Sequence, residues 1–258
     1  MKKIHSLLSD FRSLLNLVDD YIRSGYRRDH AIRTKDLRIE DSGIDDSTDR
    51  NHLLAGIAEE VALCKKCELW RGRRKPVPGT GSNDPSLVVV GEGPGQEEDN
   101  TGIPFVGRAG QYLDRWLGAV KIGQDQTPLS RQTNTFIANI VKCRPPNNRD
   151  PKPDESTACL LYLERQIEIL KPTAILCVGR ISSQILTGMS SGIGALRGHV
   201  YRYRDIPLVP TFHPSAVLRN PELRAPVWED LKLLKSLLES FSSNGSRQRY
   251  TGSPQENA

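Results

Sequence analysis

Leu87-Val88-Val89-Val90, followed at once by Gly91-Glu92-Gly93-Pro94-Gly95, is the stretch whose reading decides the fold. A short run of apolar, mostly β-branched residues ending in glycine reads as a buried strand that delivers a tight loop. Three other runs repeat the arrangement, at Phe136–Val141, Ala174–Val178 and Leu208–Pro210, each followed by a loop rich in Gly, Pro or polar residues. Helices fill the gaps. One begins near Asp154 after Pro153, carries Leu160, Leu163, Ile167 and Leu170 on one face, and ends before Pro172. Another starts near Pro226 and carries Val227, Leu231, Leu234 and Leu238. Strands separated by helices give an α/β domain on a short, mostly parallel four-stranded sheet, with ligands expected at the carboxyl ends of the strands. Gly91–Gly95, Lys142–Arg149 and His213–Arg219 all fall at such ends. They are expected to converge on one active-site rim.

Outside this region the chain changes character. The first segment carries Ile4, Leu7, Leu8, Phe11, Leu14, Leu15, Val18 and Ile22, a helical stripe that reads as a helix docked on its own domain, with a partner-binding helix as the alternative. An excess of arginine follows, then an acidic, Ser-rich stretch from Glu40 to Asp49 that cannot bury much apolar surface and reads as a linker. The division expected is an extension over 1–50, a domain over 51–241 and a disordered tail over 242–258. With 258 residues, 37% hydrophobic and 26% charged, the chain suits one domain of ordinary size, and a monomer is expected. Its net charge of +5 favours a polyanionic partner. No apolar run reaches membrane-spanning length, so no membrane partner is expected. Met1-Lys2-Lys3 opens as a signal peptide would, but Asp10 and Arg12 interrupt any apolar core, and a cytoplasmic protein is expected.

Of the five cysteines, Cys177 lies inside the apolar run Ala174–Val178, where a cysteine behaves as a small buried hydrophobe. Setting it aside leaves Cys64, Cys67, Cys143 and Cys159, the right number for one metal centre. Cys64-Lys-Lys-Cys67 can grip one metal or one corner of a cluster; the other two flank motif-bearing loops. Four thiolates suit either a 4Fe–4S cluster or a structural zinc. Spacing does not separate the two, although a single close pair leans towards iron–sulfur.

Six motifs in order carry a resemblance: Cys64-Lys-Lys-Cys67-Glu-Leu, Val77-Pro-Gly-Thr-Gly81, Val90-Gly-Glu-Gly-Pro-Gly95, Gly102-Ile-Pro-Phe-Val-Gly-Arg-Ala-Gly-Gln-Tyr-Leu113, Asn139-Ile-Val-Lys-Cys-Arg-Pro-Pro146 and His213-Pro-Ser-Ala-Val-Leu-Arg219. Together they resemble the family 4, iron–sulfur uracil-DNA glycosylases, from about Leu54 to Leu238. The resemblance implies a three-layer α/β/α sandwich, a structural 4Fe–4S cluster on Cys64, Cys67, Cys143 and Cys159, and uracil-containing DNA, single- or double-stranded, as partner. The reaction it implies is extrusion of uracil and hydrolysis of its N-glycosidic bond.

Roles follow from the same resemblance. Asn139 would read the uracil edge, because one carboxamide offers both a donor and an acceptor. Phe105 would stack on the base. His213 would donate to uracil O2 as the glycosidic electrons move onto the ring. Glu92 would align water and stabilise the sugar cation. Better-known uracil glycosylases carry an Asp one place further along, where this chain has Gly93, so Glu97, Glu98 and Asp99 stand as exposed alternatives. Gly91 and Gly93 would let backbone approach the substrate; Ser215, Leu218 and Arg219 would meet the DNA, with Leu218 as wedge and Arg219 on a phosphate. Arg71, Arg73, Arg74 and Lys75 would add phosphate attraction. Two competing readings are a non-catalytic nucleic-acid-binding module with a cysteine metal site, and an enzyme acting on small phosphates. The second lacks a Gly-Lys-Ser/Thr loop.

Overall fold

The computed structural model describes residues 46–119 and 134–243. The expected N-terminal helix, the arginine-rich segment and residues 244–258 lie outside the described residues.

All four expected strands are present: β2 (Leu87–Gly91), β3 (Thr135–Asn139), β4 (Ala174–Val178) and β6 (Ile206–Thr211). They run parallel in the order β3-β2-β4-β6. Buried on both faces, β2 and β4 are continuously apolar instead of alternating, and β3 and β6 carry polar residues only at their ends. The four-stranded expectation is corrected at the edges. Short antiparallel strands, β1 (Thr80–Gly81) beside β3 and β5 (Tyr201–Tyr203) beside β6, make the sheet mixed and six-stranded. Two or three half-buried residues at an edge leave no apolar run to read. The run Phe136–Val141 also overshoots, since β3 stops at Asn139; Ile140 and Val141 go on to bond the carbonyls of Gly91 and Glu92.

Side-chain alternation sorts the core into two layers. Val88, Val90, Ala138, Ile175 and Leu208 pack with Ile57 and Val61 of α1 (Asp46–Leu63) and with Tyr162, Leu163 and Ile167 of α4 (Pro153–Leu170). Leu87, Val89, Ile137, Leu176 and Val209 pack with Leu113 and Trp116 of α3 (Arg108–Ala119) and with Val227, Leu231 and Leu234 of α8 (Arg224–Ser243). Shorter helices α2 (Gln96–Thr101), α5 (Arg180–Thr187), α6 (Ile193–Leu196) and α7 (Pro214–Arg219) line the loops between.

The stretch read as linker is helical from Asp46, so the 50/51 boundary falls inside α1, where buried Arg50 is ion-paired to Asp84 at 2.7 Å. That long-range pair anchors the polar first turns of a helix whose composition looked unable to fold. Likewise α8 runs to Ser243, past the expected boundary at 241.

Candidate active site and cysteine cleft

Register brings the strand ends together. Gly91 stands opposite Asn139, and Val178 opposite Thr211, two residues before His213. A Cβ on Gly91 would lie 2.4 Å from Asn139 Oδ1 and 2.7 Å from Phe105 Cζ, so only glycine lets those side chains share the spot. Gly93 has a packing reason of its own, since a Cβ there would meet Val141 Cγ2 at 2.8 Å.

Asn139 is 1% exposed, yet neither Oδ1 nor Nδ2 has a hydrogen-bond partner among the described residues. An unmade bond on a buried amide costs about 1–3 kcal/mol, so such a group is kept for a reason. Beside it lies Phe105, buried, with φ +54° in the left-handed region that non-glycine residues avoid. The strain is held by neighbours. Glu98 accepts the N–H groups of Val106 and Gly107, each at 2.9 Å, and of Gly95 at 3.1 Å, fastening the Phe105 loop to the glycine loop with one carboxylate.

The His213 ring lies 5.7 Å from the Phe105 ring, and a Cβ on Gly179 would lie 3.2 Å from His213 Cβ. Its Nδ1 accepts the Ser215 backbone N–H at 3.2 Å and faces Ser215 Oγ at 2.8 Å. A neutral ring that accepts at Nδ1 carries its proton on Nε2. Burial, then the charge of Arg219, push its pKa down to about 4 against the opposing Glu98, which keeps the ring neutral at pH 7. Glu92 is moved the other way. Burial first, then the negative charge of Asp150 and a hydrogen bond with it, push its carboxyl up to about 7, with Arg180 opposing. Asp150 is in turn bonded to Arg180.

At the rim, Leu218 is 40% exposed and Arg219 is exposed at the end of α7, whereas the Ser215 hydroxyl is engaged with His213. Two expectations are corrected. Glu98 is half-buried and Asp99 buried, both occupied with backbone N–H groups, so of the three alternative acids only Glu97 is exposed. Arg73 points inward, bonding the carbonyls of Val61 and Ala62 at the end of α1 and the Cys143 sulfur at 3.2 Å. Read in one dimension it shares the phosphate role of its neighbours, because direction is invisible in a basic run.

On the other layer, Cys64, Cys67, Cys143 and Cys159 all line one cleft with Arg73 and Lys142. The Lys142 backbone N–H donates to the Cys159 sulfur at 3.2 Å. Burial pushes the Cys67, Cys143 and Cys159 thiols up. Cys177 is fully buried inside β4 and away from the cleft. Among the described residues no three His, Cys, Asp or Glu side chains gather as they would around one metal ion. A tetrahedral ion draws its thiolates to about 2.3 Å from one point. A cubane takes one thiolate at each iron and lets them stand apart.

Residues 78–232 match the Uracil DNA glycosylase superfamily. The chain belongs to that superfamily. It is 44% identical over 192 residues to the type-4 uracil-DNA glycosylase of Saccharolobus solfataricus, covering 71% of this chain and 86% of that protein. To the type-4 uracil-DNA glycosylase of Thermotoga maritima it is 42% identical over 194 residues, 74% of this chain and 97% of that protein. A type-5 uracil-DNA glycosylase of Pyrobaculum aerophilum is more distant, 28% identical over 176 residues.

Asp150 and Arg180 were not among the site residues expected from the sequence, and Glu98, expected as an alternative acid, fastens two loops instead. A signal existed for one of them: Gly179-Arg180 directly follows the Ala174–Val178 run, a fourth strand end that the rule applied to the other three also covers. Asp150 and Glu98 act through partners that no local pattern reveals.

Proposed function

We propose that this protein is a DNA-repair glycosylase that binds uracil-containing DNA, takes the uracil into the pocket of Asn139, Phe105 and His213, and hydrolyses its N-glycosidic bond. The single observation that carries this is the buried carboxamide of Asn139, both of whose polar atoms lack a partner among the described residues. Nδ2 donates to uracil O4 and Oδ1 accepts from N3–H, whereas cytosine presents the reverse pattern and leaves both atoms unpaired. Phe105 holds the ring face, and the strain in its backbone is the cost of that placement. As the bond from N1 to the sugar breaks, its electron pair moves onto the ring, and Nε2–H of neutral His213 stabilises charge at O2. Water attacks the sugar carbon and its proton goes to Glu92, leaving an abasic site and the uracil anion, which takes up a proton from solvent as it is released. Leu218 fills the vacated stack and Arg219 meets phosphate.

A 4Fe–4S cluster fits the chemistry of the donor set: Cys64, Cys67, Cys143 and Cys159 line one cleft, with N–H donors on two of the sulfurs. Bound there, it would cross-link α1, α4 and the segment after β3, a structural task that needs no electron transfer. Protein purified without air should be brown and contain iron and sulfide. Cys143→Ala should lose the iron and Cys177→Ala should keep it; zinc in place of iron would sink the cluster assignment alone. The activity is tested by incubating a uracil-containing oligonucleotide with the protein, then alkali. Strand scission at uracil, and none at cytosine or thymine, is expected. An intact strand would overturn the reading.

A further inference from the structure

The cysteine cleft is assembled from distant stretches of chain, and one side chain reaches two of them. The guanidinium of half-buried Arg73 donates from Nη2 to the Ala62 carbonyl at 2.6 Å. From Nη1 it donates to the Val61 carbonyl and to the Cys143 sulfur, each at 3.2 Å. Val61 and Ala62 lie in the last turn of α1, where carbonyls run out of partners within the helix, and that turn holds no basic residue of its own. Arg73 supplies the positive charge that such a helix end favours. Cys64 comes two residues after Ala62, and its N–H donates to the same Val61 carbonyl at 3.3 Å. The backbone that delivers the Cys64–Cys67 pair is thus tied by one planar fork to the sulfur of Cys143, 70 positions beyond Arg73. The neighbouring Arg74 takes no part: its guanidinium bonds Asn100 at the surface.

Resting on the reading of the cleft as the seat of a 4Fe–4S cluster, we propose that Arg73 is a positioning residue for that centre: it holds the Cys143 sulfur against the end of α1 and sets both the retention and the reduction potential of the centre. Two effects act together. The planar fork makes its hydrogen bonds in fixed directions, which the single ammonium of a lysine does not reproduce. Its charge is permanent, and it stands where four thiolates bring negative charge into one cleft. A hydrogen-bond donor and a positive charge at a cluster sulfur both favour the electron-rich form, so both raise the reduction potential. The Lys142 N–H on the Cys159 sulfur is main chain and survives any ordinary substitution at that position. The Arg73 donor is a side chain, so a substitution removes it.

The test compares the full chain, purified without air, with Arg73→Met, Arg73→Lys and Arg74→Met. The readouts are iron and sulfide content, midpoint potential, and the rate at which visible absorbance fades under a chelator in air. Arg73→Met should lower the midpoint potential and speed the fading about tenfold or more, the loss expected for a hydrogen bond to a charged group. Arg73→Lys keeps the charge without the fork, so its potential should stay nearer the parent's while its centre still fades faster. Arg74→Met should match the parent in every readout, which separates the tie to Cys143 from the general charge of the basic run. A merely structural tie would speed the fading and leave the potential unmoved. That outcome in Arg73→Met, or fading no faster than in Arg74→Met, would overturn the inference. If Arg73→Met does not fold or does not load, Arg73→Lys decides, and fading at the parent rate there counts against the proposal. Parent protein without iron and sulfide would defeat the cluster assignment itself, a failure seen before any variant is compared.

Discussion

Asn139 and Lys142 stand three residues apart on one segment, each about 1% exposed, and their surroundings are opposite. Lys142 has partners inside the protein. Its Nζ donates to Gln166 Oε1 at 2.8 Å, Gln166 Nε2 donates to the Pro78 carbonyl at 2.8 Å, and the Lys142 carbonyl accepts from Val77 at 2.8 Å. Burial still lowers its pKa to about 8, as expected for a cation removed from water. Asn139 has nothing. Where a buried polar group is satisfied by the protein, it belongs to the structure; where it is left open, room is being kept for something that arrives later. The segment from Asn139 to Cys143 thus begins at the pocket and ends at the cysteine cleft.

That contrast is sharpest when the two sides are broken separately. The largest effect is expected from His213→Ala, which removes the donor on the pocket side. Single-turnover cleavage should slow by two or more orders of magnitude, about 2.7–4 kcal/mol for such a donor, while DNA affinity measured by anisotropy stays nearly constant because phosphate contacts supply it. Lost affinity with unchanged cleavage would make His213 a backbone contact.

Next comes Asn139→Ala. Losing two hydrogen bonds to the base should cost about 1–3 kcal/mol in kcat/KM, while urea unfolding changes little, since no bond inside the protein is lost. Lys142→Met should give the mirror image. Gln166 Oε1 is left without its partner, so stability should fall by about 1–3 kcal/mol, and cleavage below the melting range should persist. If Asn139→Ala destabilises and Lys142→Met does not, the division between open and satisfied polar groups is wrong for this segment.

The chemistry of the site was partly legible for a definite reason. Phe105, Asn139 and His213 each follow a motif at a strand end or glycine-rich loop, and those are one-dimensional patterns. What could not be read was direction and pairing. Arg73 and Arg74 are neighbours in a basic run, yet Arg73 reaches a sulfur 70 residues away while the Arg74 guanidinium stays at the surface with Asn100. The acids Glu98 and Asp99 looked exposed because charge usually is, and are buried because three-dimensional neighbours supply backbone N–H donors.

The sequence by itself determined the inner parallel strands, the helices after Pro153 and near Pro226, the glycine loops and which four cysteines belong together. A strand buried on both faces must be apolar throughout, and a tight loop against a side chain must be glycine, so both leave a local imprint. Only the tertiary structure decided the edge strands, the extent of α1 and α8, the inward turn of Arg73 and the pairing of Asp150 with Arg180. Those rest on polar contacts between residues far apart in sequence, Asp150 and Arg180 by 30 positions, and such a contact exists only once the strands are in register.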